Sequence, residues 1–139
     1  MRLRLSYAAE PENAALFAAD VVALAGRVSG TVLDYTPGSL RQVDEILDGI
    51  REDGTTSDDI PETMFSFGCY IGEVMTRHGG GAWRRPSEQE ASVFGVPMVV
   101  EMPSKCSYNP IGKAFKRLDN GPEDSVSFFY NVATTEDPS

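Results

Sequence analysis

Three stretches of this 139-residue chain predict an α+β fold, with helices packed on a small antiparallel β-sheet in a single domain. The first is residues 61–78, a largely apolar run framed by Pro61 and the glycines at 79–81, the punctuation expected of a helix. Met64, Phe65, Phe67, Tyr70, Ile71, Val74 and Met75 cover most of its circumference, so this helix belongs at the centre of the core. The second is residues 36–52, where Leu40, Val43, Leu47 and Ile50 recur at helical spacing and Ile46 widens the stripe. The third is a pair of short apolar runs, residues 82–85 and 93–102, read as antiparallel strands with Pro97 confined to an edge or a bulge.

Taken in order, residues 2–7 alternate as a short edge strand would. Pro11 opens and Gly26 closes an alanine-rich helix over 11–25, with Leu16, Phe17, Val21 and Leu24 as its core contacts. Residues 31–35 read as extended chain or a short strand. Thr36 is placed to cap the amphipathic helix with Pro37 at its first position, and Gly54 ends it before a polar turn. In the central helix Gly68 and Gly72 each weaken the helix by roughly 1 kcal/mol relative to alanine, and the expected compensation is close approach of another element. Glu62, Ser66, Cys69, Glu73 and Arg77 make one narrow polar stripe along it. Residues 87–92 read as a loop, and so does SKCSY after Pro103. Asn109-Pro110 opens a capped helix with Ile111, Ala114, Phe115 and Leu118 inward and Lys113, Lys116 and Arg117 outward. Residues 125–132 favour a helix over a strand because Glu123 and Asp124 precede them as first-turn acids. The expected organisation is an N-terminal extension with one helix (1–30), a core (31–133) and a flexible tail (134–139).

A net charge of −9 argues against nucleic acid, whose binding requires cations at its phosphates, and against an anionic membrane surface. No apolar run is long enough to span a bilayer. Glu10, Glu12 and Asp20 sit where a secretory leader is uncharged, so the cytoplasm is the expected compartment. Cys69 and Cys106 belong to no paired motif and read as free thiols, and a single histidine completes no zinc site, so no cofactor or metal is expected. The charge is uneven: acids dominate from Asp34 to Glu62, bases from Arg77 to Arg117.

Three segments, LDYTPGSLRQVDEIL at 33–47, YIGEVMTRHGGGAW at 70–83 and NPIGKAFKRLDNGPEDSVSFFY at 109–130, together resemble a family of small uncharacterised bacterial proteins common in actinobacteria. That family shares an LD-x-S/T-x-x-SL…LD helix, a GEV helix ending in GG-x-W, and an NP-x-x-K helix. The resemblance implies a cytosolic α+β domain, leaves the N-terminal helix outside it, and transfers no catalytic residue. The extra glycine before Ala82 departs from the family pattern.

The constellation with the most chemistry is Glu73, Arg77, His78 and Trp83: an i,i+4 ion pair, two cations in a last helical turn and an aromatic wall after a glycine loop. It reads either as a small-ligand or enzymatic pocket or as helix capping around a core tryptophan. A Cys106–His78 nucleophile pair and a Glu73–Glu101 acid–base pair lack supporting spacing. Lys105, Gly112 and Lys113 around the Asn109 helix are too few for a phosphate loop, and glycines 79–81 follow a helix rather than a strand. With no catalytic set, the chain reads as a non-enzymatic interaction module. Asp44, Asp48 and Glu52 would dock a basic protein partner, as an immunity or antitoxin-like protein covers a basic toxin. A homo-oligomer built on Phe128, Phe129 and Tyr130 is a further reading.

Overall fold

The computed structural model describes residues 4–135. The described chain is α+β. Its elements are α1 (Ala14–Ser29), α2 (Ser39–Glu52), α3 (Pro61–His78), β1 (Ala82–Arg84), α4 (Glu88–Phe94), β2 (Val99–Glu101), β3 (Ser107–Tyr108), α5 (Pro110–Asn120) and α6 (Val126–Thr135). Single 3-10 turns precede α1 and α6. The three strands form one antiparallel sheet in the order β1-β2-β3, with Trp83 opposite Val100 and Val100 opposite Tyr108.

Helix α3 is the axis, and α1 and α5 both pack along it. The two glycines of α3 are where that packing is tightest. A Cβ on Gly68 would stand 2.3 Å from the Ile111 Cα of α5, and one on Gly72 would stand 1.9 Å from the Trp83 ring. The close approach expected at these positions is therefore present, and it seats both α5 and the sheet against α3. Helix α1 is as much a part of the core as α5, contributing Phe17, Ala18, Val21 and Ala25. Helix α2 is held on a different side, by α5 and α6.

Several boundaries move. Residues 4–7 are not a strand, and residues 2 and 3 of that expected strand lie outside the described residues. Helix α1 runs through Gly26 and stops at Gly30, which takes a left-handed conformation (φ 66°) that glycine adopts without strain. Leu16 is 47% exposed and Leu24 half-buried, so two of the four expected α1 contacts leave the core. The expected loop 87–92 is helical from Glu88 onward: Ser87 and Glu90 form a capping box, and α4 consumes Val93 and Phe94 from the expected strand, which shrinks to Val99–Glu101. SKCSY supplies the third strand. Residues 126–135 are helix, as favoured, but the acid at the start of α6 comes from elsewhere in the chain, as described below.

Among the described residues no helix is long and apolar enough to cross a membrane.

Candidate functional site

The sequence places candidate chemistry in two groups, and the structure treats them differently. Glu73, Arg77 and Trp83 do come together. Gly72 lets the indole lie close against α3, where its Nε1–H donates to Glu73 Oε2 at 3.0 Å, while Arg77 Nη2 donates to Oε1 at 3.1 Å. Both carboxylate oxygens of a buried Glu73 are thus occupied, the condition under which a buried charge is tolerable. Arg77 also stacks 3.8 Å above the Tyr35 ring. Tyr35 itself has φ 66°, rare for a bulky residue, and is held there by its N–H donating to the Tyr70 hydroxyl at 2.9 Å. Ser39 Oγ donates to the Thr36 carbonyl, which leaves the Tyr70 hydroxyl as donor to Ser39 at 2.6 Å. The group is a closed network that pins the 34–39 turn to α3. His78 stays apart and exposed, beside Asp34, whose pKa is held below its ordinary value by hydrogen bonds from the Thr36 hydroxyl and N–H with a small contribution from His78.

The covalent and acid–base alternatives meet the same end. Burial, with Glu73 nearby, pushes the Cys69 thiol far above the range in which it ionises. Cys106 is exposed, and no hydrogen bond joins it to His78 among the described residues. Glu101 pairs with Arg84 at 2.9 Å, not with Glu73. Arg84 also grips both oxygens of Glu90, and the Ser107 hydroxyl donates to Glu90 as well, so α4 is strapped to the sheet. Arg84, Ser107 and the Ser87 N–H together hold the Glu90 carboxyl well below its usual range. Among the described residues no cluster of His, Cys, Asp and Glu could hold a metal.

The acidic group is redistributed. Of the three acids expected on a docking face, Asp44 turns inward. Its Oδ1 accepts from Arg117 Nε and from the Val126 N–H, each at 2.8 Å; its Oδ2 accepts from the Ser127 N–H at 3.1 Å and from the Ser125 and Ser127 hydroxyls. An acid of α2 therefore caps the N-terminus of α6 across the fold. Burial would raise the Asp44 pKa, but the hydrogen bonds from Val126, Ser127 and Arg117 outweigh it and hold the carboxyl below its ordinary value. Asp48 accepts from Arg117 Nη2 at 2.6 Å with its side chain 42% exposed, and Glu52 alone stands free on the surface. Arg117, expected on the outer face of α5, is the largest fully buried side chain, 2% exposed. Its Nη1 has no hydrogen-bond partner among the described residues.

Beyond both groups lies a feature that no motif marked. Between α1 and α2 the surface opens into a groove of about 580 Å³. Because α1 is held by α3 and α2 by α5 and α6, the two helices barely touch. Leu24 and Val28 form one wall, Ile46 and Ile50 the other, with Ile60 and Phe67 beneath. The charged residues lining it are Glu45 and Asp53, both exposed. Of the aromatic trio on α6, only Phe128 points outward (67% exposed); Phe129 packs edge-on against Tyr108, and Tyr130 is buried.

No protein family, no curated protein and no solved structure matches the chain.

Proposed function

We propose that this chain is a non-enzymatic protein-interaction module whose exposed acids dock a basic protein partner, an immunity or antitoxin-like cover for a basic toxin being one concrete form. The observation that carries it is the fate of the acids between residues 34 and 62. Asp34, Asp44, Asp59 and Glu62 are engaged within the chain. Glu45, Glu52, Asp53 and Asp58 stand exposed with no ion pair among the described residues. Arg51 directs its guanidinium to the Leu118 and Asp119 carbonyls, which leaves Arg41 as the one unengaged base on α2. Uncompensated charge of one sign costs folding energy by self-repulsion, and steering of an oppositely charged partner is a use that offsets that cost. The docking face is accordingly Glu45, Glu52, Asp53 and Asp58, with Asp48 at its margin and Asp44 excluded. The competing pocket at Glu73, Arg77, His78 and Trp83 has both Glu73 oxygens already occupied.

Capture of the tagged protein from lysate of its source cells, beside a variant with lysine at 45, 52, 53 and 58, tests the reading. A stoichiometric partner held at low salt, released at high salt and absent from the variant is expected, since surface charges are screened beyond about 8 Å at physiological ionic strength. A partner retained equally by the variant would overturn it.

A further inference from the structure

We propose that the groove between α1 and α2 receives an amphipathic helix of the partner, apolar on one face and carrying lysine or arginine along one flank; this rests on the docking of a basic partner argued above. The shape is the first reason. Two helices form the walls and α3 the floor, so a helix laid between them would close a layer that α1 and α2, which barely touch, leave open. The surface chemistry is the second. Val28 is 75% exposed on one wall, and Ile46 and Ile50 are half-buried on the other, an apolar strip awaiting cover rather than a scatter of single residues.

Charge selects the occupant. Glu45 and Asp53 are the charged lining residues, and among the described residues no lysine, arginine or histidine lines the groove. Both acids lie on the α2 side, about 12 Å apart at the rise of an α-helix. They match two cations roughly two turns apart on the flank that faces α2, while the flank facing α1 meets no charge. A second copy of this chain does not supply that pattern. Outside the groove its exposed large apolar helical residues are Leu16, on an α1 whose one basic residue is Arg27, Val93, on α4 behind Glu88 and Glu90, and Phe128 and Val132, on an α6 without a basic residue. Among the described residues no helix therefore pairs an exposed apolar face with two cations two turns apart. Nor does the groove converge polar groups on a small ligand: the Ser29 hydroxyl is bonded to the Ala25 carbonyl of its own helix.

Gly49 provides the test. It lines the groove from the last turn of α2, and a Cβ there meets nothing within 4 Å. Gly49→Leu therefore fills the groove while improving helix propensity. The probe is a labelled peptide of about 18 residues, long enough to form a helix, with leucine on one face and lysines two turns apart on its flank. A scrambled peptide of the same composition is the control, and fluorescence anisotropy is the readout. Saturable binding of the amphipathic peptide alone is expected, weakened at least tenfold by Gly49→Leu and several-fold by Val28→Gln on the opposite wall. Glu45→Lys with Asp53→Lys should weaken it at least tenfold and remove its salt dependence. If wild type and Gly49→Leu bind equally while the double lysine variant does not, the acidic surface docks basic chains outside the groove, and this inference alone falls. If neither peptide binds wild type at low salt, the inference and the docking reading fall together.

Discussion

The two flanks of α2 follow opposite rules. On the side toward α5 and α6 the contact is polar and closed: Asp44 and Asp48 hold Arg117, and Asp44 caps α6. On the side toward α1 it is apolar and open, with Ile46 and Ile50 left half-covered beside a groove. Charge is buried where hydrocarbon would be expected, and hydrocarbon is exposed where charge would be. The first arrangement fixes where α6 sits, because a carboxylate with five donors has one geometry that serves it. The second leaves stability unused, which is the usual condition of a surface kept for something else.

The comparison breaks most readily at Arg117. Arg117→Ala removes the cation and one of the five donors that the Asp44 carboxylate faces, a loss of about 3–5 kcal/mol for one partner of a buried pair. Urea denaturation should show it, and a loss below about 1 kcal/mol would mean that the network is incidental. Acid is the next lever. A folded-state pKa held below the unfolded value of about 3.9 gives a contribution that is complete above that value and lost as pH falls from it through the folded-state pKa. Hydrogen exchange at the first amides of α6 should therefore rise before the α3 core opens as pH drops below about 4, and Asp44→Asn should abolish that ordering. On the open flank the effects are small and one has the opposite sign. Gly49→Ala fills no occupied space and should stabilise by about 0.5–1 kcal/mol in thermal unfolding. Val28→Gln should change stability by less than about 0.5 kcal/mol, so that any loss of partner binding it causes is a surface effect.

How much of this was legible in the sequence divides along the same line. Helices α2, α3 and α5 follow from periodicity and from Pro, Asn and Gly at their ends, and α6 was favoured on the acids Glu123 and Asp124 just ahead of it, all local signals. Helix α4 was legible as well: Ser87 and Glu90 have capping-box spacing, but the polar run around them reads as a loop. Arg117 is subtler. It lies three residues after Ala114, on the same buried side of α5 as Ile111 and Leu118, so the wheel placed it inward while the residue type placed it outward. The type was misleading because the compensating Asp44 sits 73 residues away. The groove had no sequence signal. Leu24, Ile46 and Ile50 obey the core pattern of their own helices, and only the separation of α1 from α2 leaves them uncovered. The Glu73 group was found by spacing, but that spacing is shared by pockets and by closed networks, and the position of the indole decides between them.

That indole has a practical consequence. Trp83 is the only tryptophan, it rests on Gly72, and Gly72 lies roughly 140° around α3 from Phe67 in the groove floor. Its emission therefore monitors whether the sheet stays seated on α3 and is shielded from events on the groove side of that helix. During a peptide titration a constant tryptophan spectrum marks local docking. A shift would mean that filling the groove rocks α3 beneath the sheet, and the molecule would then carry a signal from one side to the other with its own built-in reporter.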